Sequence, residues 1–177
     1  MKGLSILPAE SYRTTEWSGG TTTELIIMPE GSSYAERRFG FRISSAEVLL
    51  ESSVFTRLEG VTRYISPLCE GFLLTVNGEK IPLKRGEILK FSGEDEVLCQ
   101  GSGRDLNLML KGTEGEMLEV RGGFTVPEHS FAYLFAPSPI RVSHGDETEE
   151  LPAFALAAVE AGEWRAEGAA ALFIIER

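Results

Sequence analysis

Asp105-Leu-Asn107-Leu-Met109 carries an acid, an amide and a thioether at every second position, interleaved with Leu106, Leu108 and Leu110. Side chains on a β-strand alternate between faces, so the leucines share one face and Asp105, Asn107 and Met109 the other. A solvent face more usually carries Lys, Thr or Glu. An acid and an amide beside a thioether fit the wall of a small pocket, although an ordinary polar outer face accounts for the alternation as well.

Comparable spacings recur upstream. Arg42 and Ser44 share a face opposite Phe41, Ile43 and Ser45. Thr22, Glu24, Ile26 and Met28 share a face of a Thr- and Ile-rich segment, and Arg63 opens a further strand after Gly60-Val-Thr. An arginine turned inward is costly to desolvate unless it meets a carboxylate. Glu24 or Asp105 could supply it, or a ligand, because a guanidinium grips a carboxylate in a bidentate fork. The alternatives are surface arginines and, for Thr22 and Glu24, a polar strand end.

Other chemistries have less to draw on. The two histidines, His129 and His144, lie fifteen residues apart, and neither has a second His two residues away. A metal centre on a β-barrel draws two or three imidazoles plus a carboxylate, so no metal and no cofactor is expected. His129 reads as a loop residue with satisfied hydrogen bonds and His144 as a turn residue. There is no Gly-x-Ser-x-Gly elbow. Gly19-Gly20 leads into Thr21-Thr-Thr23 and not into a Lys and a helix, so it reads as a sharp turn into a strand and not as a phosphate loop.

The elements that must position these residues are strands. Candidates are Thr22 to Met28, Phe41 to Val48, Tyr64 to Leu68, Phe72 to Asn77, Glu87 to Phe91, Glu94 to Gln100 and Asp105 to Lys111. Later ones are Met117 to Arg121, Phe131 to Phe135, Ile140 to Ser143 and Ala169 to Glu176. Asn77-Gly78 is the strongest hairpin signal. Ser32 to Arg38 predicts a helical turn or two. Leu151 to Glu160 predicts a helix with Pro152 in its first turn, or equally a strand. The acidic run Asp146 to Glu150 reads as a solvated loop. Many short strands with few helices predict an all-β fold of antiparallel sandwiches or barrels, in two β-modules sharing one packed core.

The 177 residues carry 17 Lys plus Arg against 27 Asp plus Glu, a net charge of -10. That surface repels polyanions, so nucleic acid and anionic membranes are not expected partners. Cys69 and Cys99 read as small buried hydrophobes and not as a disulfide framework. The apolar start is broken at Pro8, shorter than a signal peptide requires, and no run approaches a membrane span. A cytoplasmic location is therefore expected. Barrel edges often pair, which leaves a homodimer open.

Five ordered segments resemble one family, the HutD/Ves family. Trp17-Ser-Gly-Gly-Thr-Thr-Thr-Glu24 resembles its Trp…Gly-Gly-x-Thr-x-Glu element, and Phe41-Arg-Ile-Ser-Ser-Ala-Glu-Val48 its Arg-x-Ser-x-Ala strand. Phe55-Thr-Arg-Leu-Glu-Gly-Val-Thr-Arg63 is similar to its Phe-Ser-x-Phe-x-Gly-x-x-Arg segment. Leu89-Lys-Phe-Ser-Gly93 and Gly103-Arg-Asp-Leu-Asn-Leu-Met109 are similar to its Phe-x-Gly and Asp-Phe-Asn-x-Met elements. Leu58 and Leu106 stand where the family frequently has Phe, which keeps apolar character and alters shape. The match covers residues 17 to 109, and the second half matches only loosely.

The resemblance implies a bicupin: a cupin-like β-barrel over residues 1–115 and a cupin-like module over 116–177, with strands exchanged between them. It also implies a non-catalytic protein that binds a small acidic metabolite, urocanate- or formylglutamate-like, in a regulatory role in histidine utilisation. Ves members are linked to cold and stress. The ligand-binding positions would be Thr22, Glu24, Arg42, Ser44, Arg63, Asp105, Asn107 and Met109, with Arg63 on a carboxylate. Two alternatives stand beside this reading. One is a metal-independent enzyme using Glu24 or Asp105 as general base. The other is a structural or interaction protein whose arginines merely pair with those acids.

Overall fold

A computed structural model describes residues 1–176 and is almost wholly β. In chain order the strands begin with β1 (Leu4–Ile6), β2 (Arg13–Trp17), β3 (Gly20–Met28), β4 (Phe41–Val48), β5 (Ser52–Val54) and β6 (Val61–Pro67). They continue with β7 (Gly71–Val76), β8 (Glu79–Lys84), β9 (Leu89–Ser92), β10 (Val97–Gln100) and β11 (Gly103–Lys111). The last six are β12 (Gly115–Val126), β13 (Ser130–Phe135), β14 (Ile140–His144), β15 (Glu147–Leu151), β16 (Leu156–Val159) and β17 (Gly162–Glu176). Among the described residues the one helical element is a 3₁₀ turn at Ala9–Ser11, and no helix is long and apolar enough to cross a membrane.

The chain divides into two compact units. Tyr12–Gly112 holds two antiparallel sheets, six-stranded in the order β2-β3-β4-β11-β6-β9 and four-stranded in the order β5-β10-β7-β8. Ile65 and Phe91 of the first pack with Phe72, Leu74, Leu83, Val97 and Cys99 of the second. A second cluster joins Phe39, Leu58, Val61 and Met109. The other unit comprises Met1–Ser11 and the chain from Thr113 onward, in one seven-stranded sheet. Its core includes Leu134, Val142, Leu151, Trp164 and Leu172. The expected boundary at residue 115 differs from this division chiefly at the start of the chain. There β1 pairs with β16, Leu4 opposite Val159, and so belongs with the later strands.

Several local expectations change. Ser32 to Arg38 is a set of turns closed by an isolated bridge between Ser33 and Arg38. Leu151 to Glu160 is no helix: Leu151 ends β15, Phe154 takes a φ of 63°, and Leu156 enters β16. The acidic run forms most of β15, held by register against β14. Asn77 and Gly78 turn β7 into β8 with φ of 49° and 87°, the positive values their types tolerate. His144 ends β14 with its ring stacked on Trp164 at 4.5 Å.

Gly20 shows how closely the strands of the six-stranded sheet are set. Its φ is +151°, and a Cβ there would lie 1.9 Å from the Glu47 carbonyl oxygen of β4. Backbone cannot yield as a side-chain tip can. Gly20→Ala should therefore cost upwards of about 3 kcal/mol, read as a lowered urea midpoint with an unchanged m-value. An unshifted midpoint would show that β3 and β4 can separate freely at this corner.

Candidate functional site

Register brings the polar residues into rows. On the inward face of the six-stranded sheet, Thr22 of β3 faces Ala46 of β4, which faces Asp105 of β11. The next row is Glu24, Ser44 and Asn107. The third runs Ile27, Arg42, Met109, Arg63 of β6 and Phe91 of β9. Directly opposed residues point the same way, so three polar rows stand on one surface. The row places Ile27, not Ile26, on the Thr22–Glu24 face. A bulge between Glu24 and Ile26 adds one residue, Leu25, and reverses the alternation beyond it.

This surface walls a cavity of about 340 Å³ inside the Tyr12–Gly112 unit. Thr22, Arg42, Ser44, Arg63, Asp105, Asn107 and Met109 line it. Glu24 does not line it, but lies behind Arg42 as its partner. Ala46 and Val48 of β4, Ser53 and Val54 of β5, Phe55 and Thr56 beyond it, and Thr15, Trp17 and Tyr34 complete the wall. Phe55 and Trp17 sit in the sequence segments that carry the family resemblance. Ser53, Thr15 and Tyr34 had no local signal, because a strand edge and a loop are brought in only by the tertiary fold. Among the described residues no group of three or more His, Cys, Asp or Glu could hold a metal ion.

The two arginines differ. Arg42 is buried, and its Nε donates to Glu24 Oε2 at 2.7 Å while Nη1 donates to Ser44 Oγ at 3.3 Å. Its guanidinium also lies 4.3 Å from the centre of the Tyr34 ring. Its charge is thus compensated. Arg63, equally buried, makes no ion pair among the described residues. Its Nη1 reaches only the Thr56 carbonyl at 3.4 Å, and its Nε has no hydrogen-bond partner. Its guanidinium carbon stands 5.0 Å from the centres of both Phe55 and Phe91. Cation–π attraction to two rings offsets part of the desolvation, on the order of 1–2 kcal/mol each when buried. Burial pulls the Arg63 pKa below the ordinary arginine value; Tyr34 and Asp105 oppose this, and the nearby Arg42 charge adds to it.

Asp105 is buried in the same cavity wall. Its Oδ1 accepts from the Ala46 N–H at 3.1 Å and from Asn107 Nδ2 at 2.5 Å. Burial still dominates and pushes the carboxyl up to about 7, against those hydrogen bonds and the Arg63 charge. Asp105 and Arg63 therefore share a cavity without a direct bond. Of the described residues, only Ser53 Oγ and Arg63 Nε are buried side-chain polar atoms lacking a partner, and both residues line this one cavity.

The matched family model, HutD, covers residues 9–172. The chain belongs to the HutD family. HutD from Pseudomonas fluorescens SBW25, in a formate condition, is 25% identical over 98% of each chain, with a TM-score of 0.81. A conserved protein of unknown function from Pseudomonas aeruginosa PAO1 is 30% identical over 98% of this chain and 97% of its own, with a TM-score of 0.77. YlbA from E. coli, at 9% identity and a TM-score of 0.67 over 99% of this chain and 91% of its own, shares the fold alone. These likenesses bear out the all-β, cupin-like architecture. Among curated proteins no match was found.

Glu24→Ala strands the Arg42 charge away from water and should cost about 3 kcal/mol in thermal unfolding, because breaking a buried pair leaves one ion uncompensated. For Asp105 the folded carboxyl holds its proton to about 7, whereas the ordinary value is 3.8. The unfolded chain ionises first, so stability falls as pH rises from 3.8 to about 7 and is level above that. The gap is worth roughly 4 kcal/mol at most. Asp105→Asn keeps an acceptor for Ala46 and should remove this slope; identical urea midpoints against pH for both chains would contradict the assignment.

Proposed function

We propose that the cavity of the Tyr12–Gly112 unit binds a small carboxylate metabolite and performs no chemistry on it. The observation that carries this reading is Arg63: a buried guanidinium with an unpartnered Nε, no ion pair among the described residues, and a cavity of about 340 Å³ beside it. A carboxylate would supply the acceptors that Arg63 lacks, in the bidentate form the guanidinium favours. Asn107, Ser44 and Thr22 offer hydrogen bonds for the rest of the ligand, and Met109 an adaptable apolar floor. A urocanate- or formylglutamate-like acid has the charge and polar groups for such a site. Regulation of histidine utilisation by such binding rests on the HutD resemblance.

The structural alternative, with arginines that merely pair with acids, fits Arg42 and Glu24 and leaves Arg63 and the cavity without a purpose. An acid–base enzyme draws on one specific observation, the Asp105 carboxyl near 7 in a buried wall. Glu24, paired with Arg42, stands outside the lining and is the poorer candidate. Turnover of a bound acid, followed by NMR, would favour that second reading.

Calorimetry tests the first. Formylglutamate, glutarate and urocanate should include a binder that Arg63→Ala weakens by roughly 100-fold, about 2.7 kcal/mol. The same substitution removes a desolvated charge with no ionic partner, so its Tm should fall by no more than a few degrees. Equal binding by both chains, or a collapse of the fold without Arg63, would defeat the proposal.

A further inference from the structure

We propose that the pocket captures its carboxylate together with one proton from solvent, and that the proton goes to Asp105. This rests on the carboxylate reading above and adds a dependence on pH to it. The balance is simple: the ligand stays a carboxylate, and the Asp105 carboxylate takes up H⁺ to become the acid.

Few charges lie around Asp105. On its own strand Asn107 is neutral, and Arg104 points to the other face and pairs with Glu47 at 2.9 Å. From β4 comes Arg42, already held by Glu24 of β3. From β10 comes the Cys99 thiol, which burial first and then the Asp105 charge push up to about 12, so it stays protonated. Cys69, in the turn after β6, lies near enough to Cys99 to raise it further. Tyr34 contributes a phenol. That leaves Arg63 of β6 as the uncompensated cation whose charge reaches Asp105.

With no ligand, the Arg63 cation is the charge that favours the ionised form of Asp105. A ligand carboxylate on Arg63 cancels the cation and leaves Asp105 as a second anion in a desolvated wall. Two carboxylates in such a space do not both stay ionised, and one gains a proton. The geometry says where it lands. Among the described residues both hydrogen bonds to the Asp105 carboxylate arrive at Oδ1, and none arrives at Oδ2. Protonated Oδ2 would then become a donor toward the cavity. The carboxyl is already poised near 7 before any ligand arrives, so the added anion moves it across the physiological range.

Calorimetry of the full chain with formylglutamate, whose carboxyls stay ionised above pH 6, reads this directly. Titrations at pH 8 in Tris and in HEPES should differ in heat by the uptake of roughly half to one proton per ligand bound. Affinity should fall by up to about tenfold per pH unit above 7 and level off below 6. Asp105→Asn should bind with no proton uptake and little change between pH 6 and 8.5. Should that variant not fold, the wild-type buffer comparison stands alone, joined by the ¹³C carboxyl shift of Asp105 with and without ligand. Binding that is flat in pH and free of proton uptake overturns this inference and leaves the carboxylate site standing. No binding of any of the three acids at any pH overturns both.

Discussion

Removing a guanidinium from water costs several kcal/mol that only a well-placed anion, hydrogen bonds or aromatic faces can return. The six-stranded sheet of the Tyr12–Gly112 unit does this twice on one face, and compensates the two unequally. Arg42 receives a carboxylate, a hydroxyl and a ring. Arg63 receives two rings and one long hydrogen bond. That inequality leaves the cavity with a cation whose Nε has no partner, while burial, acting against the Arg63 charge, holds the Asp105 carboxyl up near neutrality.

The inequality is built by register. Across β3, β4, β11 and β6, one residue more or less would turn every polar side chain to the opposite face. The bulge at Leu25 shows the margin. It buries Leu25 and lets Glu24 and Ile27, three apart, lie on the same side as Ser44 and Arg42. Without it, the Arg42 row would have met a different face of β3. The close approach at Gly20, where β3 begins, keeps the same strands from drifting at their other end.

The inward strands were readable because their chemistry alternates. β4 was read with its observed bounds, and β11 with its polar and leucine faces assigned as found, because both are interior strands with a period of two. The strands that escaped are β1, β2, β5, β8 and β15, each of which ends the strand order of its sheet. An edge strand buries little on either face, so nothing selects for apolar alternation: β2 is exposed throughout, and β15 is mostly acid. Pro82 in β8 also argues against a strand, yet an edge tolerates a residue without an N–H. The site was legible to the same degree. On interior strands Thr22, Arg42, Ser44, Arg63, Asp105, Asn107 and Met109 were legible as lining residues, Ala46 and Val48 were not, and neither were those delivered by an edge or a loop, Ser53 and Thr56 among them. Whether Arg63 meets an acid of its own chain was beyond the sequence, since it turns on side-chain reach across two strand rows.

The pairing of β1 with β16 has a consequence for the order of assembly. Residues 12–112 form a continuous stretch that can close its sheets while the remainder is still being synthesised. Leu4–Ile6 leave the ribosome well before Leu156–Val159 and must wait for that strand before they have one to join. That segment is therefore among the last pieces to find its place, and the sheet it completes carries a bare edge on β16 until it does.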